Sequence, residues 1–316
     1  MKEYAFGIDL GGTTAKAGLF TTAGTLLEKW EIPTDTSDQG VRILPNLAAA
    51  ILDKMKEKAL TPGQVEGVGI GVPGPVQESS VVPIVCANLG GWGQQDVAAN
   101  LSLLLGGIKV MVGNDANVAA LGEIWMGAAK GCRSAVMVTL GTGVGGGVIV
   151  GGKVIDGAHG AGGEIGHITV NPKETAVCGC GKHGCLEQYS SATGVVRCMK
   201  KLLEENPDTP CVLRGTDFAA KDVFDAARSG DALAAREVDD MTDMLGLALA
   251  TIAATADPEV FLVGGGVSRA GDVLFQPLTE HYKAYAFKSC RETPIKQASL
   301  GNDAGIYGAV RLIVGA

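Results

Sequence analysis

Proline is sparse, at 12 of 316 residues, and only 19% of the chain is charged. No apolar run is long enough to cross a membrane. The longest, Met244 to Ala256, spans 13 residues between Asp243 and Asp257, short of the roughly 20 a helix needs. The first residues, MKEYAFGIDL, lack the apolar core of a secretory signal. Basic residues are also in deficit. Lys and Arg number 26 against 34 Asp and Glu, and the net charge of −8 excludes a sequence-independent polyanion binder. Low-complexity tracts and linkers longer than a loop are missing too. Glycine is abundant, with 47 residues and no collagen-like period. With so little proline, that suits tight turns and phosphate-type loops rather than disorder. At 46% hydrophobic, a chain of this length buries a sizeable core and is expected to form two domains. The expectation is a globular cytoplasmic protein.

Apolar residues alternate through Tyr4, Phe6 and Ile8 up to Asp9, and runs at Ala15–Phe20 and Thr25–Ile32 follow. These predict a three-stranded antiparallel meander. Leu44, Leu47, Ile51 and Met55 recur at helical spacing. A strand is predicted at Val65–Val72, closed by Pro73-Gly74-Pro75, then a helix over Asp96–Leu105. A buried strand at Ile108–Val112 leads into a helix from about Ala116 to Ala129. The strand–turn–strand pattern restarts at Ser134–Leu140 and Gly146–Val150. Beyond a loop-rich stretch from Gly151 to Gly184, the chain reads as mainly helical, with a long pattern over Leu233–Ala256. Strands at Val260–Val263 and Pro294–Ala298 and a helix over Asp303–Val314 complete it. Two regions thus begin alike, 4–20 and 134–150, which suits two similar α/β halves better than one sheet.

Four segments carry chemistry. In Asp9-Leu10-Gly11-Gly12-Thr13-Thr14-Ala15-Lys16, glycines between strands admit a ligand to the backbone, and the hydroxyls and Lys16 offer phosphate donors. Asp9 is a candidate holder of a metal or its water; the bland alternative is a plain hairpin turn. Gly141-Thr142-Gly143-Val144-Gly145-Gly146 matches G-x-G-x-x-G, but an apolar strand follows it where a dinucleotide fold needs a helix. A phosphate-cradling hairpin is the better reading. The Walker-like run from Gly147 to Gly152-Lys153 continues with Val154 where Ser or Thr is required, so it is no P-loop. In Asn114-Asp115-Ala116-Asn117, Asp115 is either a helix cap or a base for a hydroxyl nucleophile.

The most specific signal is Glu164-x-x-His167 followed by Cys178-x-Cys180-x4-Cys185. Three of the eight cysteines crowd into this segment, which reads as a metal site before a disulfide frame. Three cysteines and a histidine make a closed tetrahedral zinc set, structural rather than hydrolytic. His183, inside the cluster, competes with His167 as the nitrogen ligand. Glu187, tied to such a loop, is a candidate acceptor for a substrate hydroxyl. Asn88 can contact a polyol or stabilise its own turn.

Taken together in this order, these motifs resemble the bacterial ROK-family sugar kinases, and most of all the zinc-containing glucokinases, over nearly the whole chain. The carrying residues are Asp9-Leu10-Gly11-Gly12-Thr13, Asn114-Asp115, Leu140-Gly141-Thr142-Gly143, Glu164-Ile165-Gly166-His167 and Cys178 through Glu187. The resemblance implies an α/β, actin/hexokinase-like (ribonuclease H-like) fold of two domains around a cleft. A small domain over 1–117 would be joined by the C-terminal helix, about 300–316, and a large one over 118–299 would carry the zinc loop. It implies phosphorylation of the glucose 6-hydroxyl by ATP with Mg2+, and Asp115 as general base. Gly74, Asn88, Asn114, Glu164, His167 and Glu187 would hold the sugar. Asp9, Gly11, Gly12, Thr13, Thr14, Lys16, Gly141, Thr142, Gly143, Gly264, Gly265 and Gly266 would face ATP and its Mg2+, and His167, Cys178, Cys180 and Cys185 would hold structural Zn2+. A homodimer is implied as well.

The family also contains repressors with a leading helix-turn-helix. Here the first strand begins by Tyr4, and with the charge of −8 no nucleic-acid partner is expected. A non-catalytic sugar sensor would be expected to lack the base, which is present. Within the kinases, N-acetylmannosamine, N-acetylglucosamine and fructose remain rival substrates. The extra glycine in Gly90-Gly91-Trp92 and His159 depart from the family pattern beside the expected sugar site.

Overall fold

The computed structural model describes residues 2–78, 80–86 and 89–315. Its chain divides into two compact units. One comprises Met1–Gly131, Lys153–Gly163 and Ser299–Ala316, the other Cys132–Gly152 and Glu164–Ala298. A division at residue 117 would cut through a helix, Asp115–Met126. The first unit instead keeps that helix whole and extends to Gly131.

The first unit is built on a sheet ordered β3-β2-β1-β4-β7, with β1 at Tyr4–Leu10, β2 at Thr14–Thr21, β3 at Leu26–Pro33, β4 at Val65–Val72 and β7 at Val110–Asn114. The meander β1–β2–β3 is antiparallel, whereas β1–β4 and β4–β7 are parallel. Helix α1 (Ile43–Glu57) buries Ile43, Leu44, Leu47, Ala48, Ile51 and Met55, the stripe its spacing predicts. A hairpin of β5 (Val81–Cys86) and β6 (Trp92–Asp96) precedes α2 (Val97–Leu104). Pro83 within β5 removes a ladder donor, so local sequence gave no strand there. The helix Asp115–Met126 is α3, and a short strand, β10 (Lys153–Val154), lies in the middle segment of this unit.

The C-terminal helix, Ala304–Val314, packs on the sheet of this unit and on α3. Glycines make the approach possible. A Cβ at Gly69 in β4 would fall 1.7 Å from the Ala309 carbonyl oxygen, so even alanine would push the helix off the sheet. Glu123, fully buried, fastens the chain ahead of that helix. Its carboxylate accepts the Leu300 N–H at 2.7 Å, the Ala128 N–H at 2.8 Å and the Ser299 hydroxyl at 3.2 Å. A buried charge is tolerable when its lone pairs are filled in this way.

In the second unit the strands run β9-β8-β11-β12, with β8 at Ala135–Leu140, β9 at Val144–Val150, β11 at Val260–Gly264 and β12 at Ile295–Gln297. Again a hairpin, β8–β9, is followed by parallel pairing of its first strand, here with β11. Helices α4 (Glu187–Ser190), α5 (Ala192–Glu205), α6 (Ala220–Arg228), α7 (Ala232–Ala256) and α8 (Asp272–Tyr285) belong to this unit, and the C-terminal helix is α9. The apolar stretch noted above is the interior half of α7, where Leu245, Ala248 and Leu249 are fully buried. Among the described residues, no helix is long and apolar enough to cross a membrane. Helix α8, in the stretch read as mainly helical, contains Pro277.

Candidate active site

In the first unit, the β1–β2 turn holds Gly11, Gly12 and Thr13. The Gly11 N–H donates to the Thr14 carbonyl at 3.2 Å. From the end of β3, the Thr34 hydroxyl donates to the Gly11 carbonyl at 2.8 Å, and the Thr34 N–H to the Thr13 carbonyl at 2.9 Å. Asp9 sits two residues before the turn, and burial pushes its carboxyl above the ordinary range, partly offset by Lys16. Lys16 is its register partner on β2, and its ammonium donates to the Asn302 carbonyl at 3.2 Å. Gly305 in α9 leaves room for Asp9, because a Cβ there would lie 2.5 Å from the Asp9 Cγ.

Asn114 ends β7 and caps α3. Its Oδ1 accepts the Ala116 and Asn117 N–H groups, both at 3.1 Å, while its Nδ2 donates to the Gly74 carbonyl at 3.0 Å. The cap is therefore Asn114, and Asp115 is the first helical residue. Its Oδ1 accepts the Ala116 N–H at 2.7 Å. Asn88 lies outside the described residues.

The second unit collects the other candidates. The β8–β9 turn is Gly141-Thr142-Gly143, closed by the Gly141 N–H on the Gly143 carbonyl at 3.0 Å. Gly264, Gly265 and Gly266 leave β11 beside it. Gly265 has φ +83, and a Cβ there would lie 2.4 Å from the Leu140 carbonyl oxygen, so only glycine fits. Exposed turn backbone of this kind presents N–H groups to an anion.

His167, Cys178, Cys180 and Cys185 bring one donor atom each within 4.8 Å of one another. The Cys180 and Cys185 sulfurs are 3.6 Å apart, and Cys178 Sγ is 3.8 Å from His167 Nδ1. Those separations suit a tetrahedron with arms of about 2.3 Å, whose edges are about 3.8 Å; a disulfide would need about 2.0 Å. The donor set therefore fits zinc. His183 is outside it, with Nδ1 3.2 Å from the Ala176 carbonyl oxygen. Burial pushes the Cys185 thiol up to about 12, while the Lys182 N–H holds the Cys180 thiol below its usual value. A bound cation holds such thiols as thiolates. On the other side of the His167 ring, Nε2 is 4.0 Å from the Glu164 carboxylate, longer than a hydrogen bond.

Sequence reasoning missed Thr34, Gly305 and the contact between Glu187 and the β8–β9 turn. In that contact, Glu187 Oε2 accepts the Val144 N–H at 3.0 Å. Thr34 and Glu187 reach their partners across 23 and 43 positions, and no local pattern announces such pairs. A glycine in the first turn of an apolar helix was the available signal for Gly305.

Comparison with known proteins bears on the family and the fold. The ROK family model matches residues 5–315. A glucokinase of Halalkalibacterium halodurans is 40% identical over 311 residues, covering 97% of this chain and 94% of that one. Among solved structures, the ROK hexokinase of Thermus thermophilus superposes with a TM-score of 0.82 at 33% identity, over 97% of this chain and 96% of its own. A ROK family glucokinase from Streptomyces griseus, solved with glucose and AMPPNP, gives 0.75 at 33% identity, over 98% of each chain. These likenesses carry the actin/hexokinase-like fold, and the chain belongs to the ROK family.

Proposed function

We propose that the protein is an ATP-dependent glucokinase that transfers the γ-phosphoryl group to the 6-hydroxyl of glucose. The observation that carries this reading is Asp115, a carboxylate at the first position of α3 with Asn114 capping beneath it. It is supported by 40% identity to a named glucokinase over nearly the full chain. A sugar hydroxyl is a weak nucleophile, and a positioned carboxylate that takes its proton contributes roughly 10²–10⁴-fold. The remaining barrier falls to orientation and to neutralising charge on the phosphoryl oxygens.

In this reading, Asn114, Glu164, His167 and Glu187 bind the sugar hydroxyls, with Asn88 and Gly74 as further sugar ligands. The hairpin of Gly11, Gly12, Thr13 and Thr14 and that of Gly141, Thr142 and Gly143 donate backbone N–H and hydroxyl groups to ATP. Gly264, Gly265 and Gly266 lie along the adenosine. Lys16, turned to the Asn302 carbonyl, adds positive charge near Asp9 rather than a direct phosphate bond. Asp9 would organise the water of the Mg2+ that accompanies ATP, and that ion would supply neutralising charge during transfer. His167, Cys178, Cys180 and Cys185 would hold a structural Zn2+, which would staple the sugar loop. The resemblance extends this to a homodimer, and the net charge of −8 and the lack of a long apolar run suit a cytoplasmic protein that engages neither nucleic acid nor membrane.

The test is Asp115→Asn. Glucose binding by calorimetry is expected to stay within a few-fold of the parent, while turnover with Mg-ATP falls by roughly 10²–10⁴. Near-normal turnover in that variant would remove Asp115 from the role of base.

A further inference from the structure

Val144 is the first residue of β9 and the exit of the second glycine hairpin, and the metal loop grips its backbone from two sides. Glu187 Oε2 accepts its N–H at 3.0 Å. Gly166, between Glu164 and His167, lies against its carbonyl, where a Cβ would come within 2.1 Å of the oxygen. The other end of the hairpin is held from the same region, since the Ala192 N–H donates to the Gly141 carbonyl at 2.8 Å. Glu187 itself is fixed close to the metal donors. It follows Cys185 by two residues, and its Oε1 is 3.9 Å from Cys178 Sγ. The turn has no slack toward it, because a Cβ at Gly143 would lie 2.3 Å from Oε2.

We propose that Glu187 is a positioning residue for the nucleotide hairpin as well as a sugar ligand, so that one carboxylate couples the sugar loop to the ATP-phosphate loop. The proposal rests on the kinase reading above. One carboxylate oxygen orients the Val144 N–H and fixes the path of Gly141–Gly143, and the other is directed to the metal loop and its sugar. A hydrogen bond to a charged acceptor at this distance is among the stronger ones. Because the carboxylate is shared, the coupling is reciprocal: whatever shifts Glu187 from the sugar side alters the hairpin, and the converse holds. In the first hairpin, the turn is closed by Thr14 and Thr34.

The experiment titrates zinc-loaded protein with a non-hydrolysable ATP analogue and Mg2+, with no sugar present, and records zinc content per chain. The parent protein first establishes that nucleotide and glucose both bind; failure there would sink the kinase reading and leave the variants unneeded. Glu187→Ala is expected to weaken nucleotide binding about 10-fold, the value of a lost hydrogen bond to a charged group. Glu187→Gln keeps an acceptor oxygen and is expected to stay within about 3-fold of the parent, although both variants bind glucose more weakly. Should Glu187→Ala lose its zinc, Gly143→Ala decides the matter, since its methyl displaces the carboxylate without removing it. That variant is expected to raise the dissociation constant for glucose several-fold with no nucleotide present. Unchanged nucleotide affinity in zinc-replete Glu187→Ala, or unchanged glucose affinity in Gly143→Ala, would overturn the coupling.

Discussion

The two glycine hairpins have the same frame and different supports. In each, an antiparallel pair is flanked by a parallel strand, β2-β1-β4 in the first unit and β9-β8-β11 in the second. The β1–β2 turn is closed by its own backbone and by Thr34 from the neighbouring strand end. The β8–β9 turn is also closed by its own backbone, and its outside support comes from a carboxylate and a more distant segment, Glu187 at Val144 and the Ala192 N–H at Gly141. Both of these supports follow directly on the metal loop. The difference is one of reach: a repeated scaffold has its first turn braced by a hydroxyl 23 positions away and its second by a carboxylate 43 positions away.

Metal removal breaks the comparison most strongly. Stripping zinc by chelation, or losing it through Cys180→Ala, should leave the first hairpin intact and loosen the second. Hydrogen exchange is expected to accelerate roughly 10-fold or more at Val144–Gly146 while residues 10–15 keep their protection. Equal acceleration in both hairpins would erase the distinction. Gly305→Ala attacks the other side. Its methyl meets the Asp9 Cγ at 2.5 Å, and overpacking of this kind costs about 1–3 kcal/mol. Chemical denaturation should register that loss, and the Mg2+ concentration for half-maximal turnover should rise, with zinc content unaltered. A variant matching the parent in both would detach Asp9 from the helix behind it. The smallest effect is expected of Thr34→Val, which deletes one hydroxyl bond to the Gly11 carbonyl. About 0.5–1.5 kcal/mol of stability should go, with exchange faster at the first turn only.

Much of this frame was legible in the sequence. Alternating apolar residues bounded by Gly11-Gly12 and by Gly141–Gly143 predict both hairpins, and the structure has them at β1–β2 and β8–β9. The spacing of Cys178, Cys180 and Cys185 announced a metal set, and the four donors, His167 included, do come together. What the sequence hid is long-range or locally contradictory. Pro83 sits inside a strand that tertiary packing preserves. The end of the first unit at Gly131 rather than near 117 depends on α3 packing against α9, a contact nearly two hundred positions apart in the chain. Glu187 read as a solvated or sugar-binding carboxylate, because nothing near it in sequence points to Val144.

The central claim is the activity itself, and ADP release with Mg-ATP tests it most directly. Purified protein would be assayed with glucose, N-acetylmannosamine, N-acetylglucosamine and fructose, with Asp115→Asn as the blank. Saturable turnover on glucose, far above the other three, is the expected result. Turnover on one of the others without glucose would move the substrate, and sugar binding with no turnover on any of them would contradict the kinase.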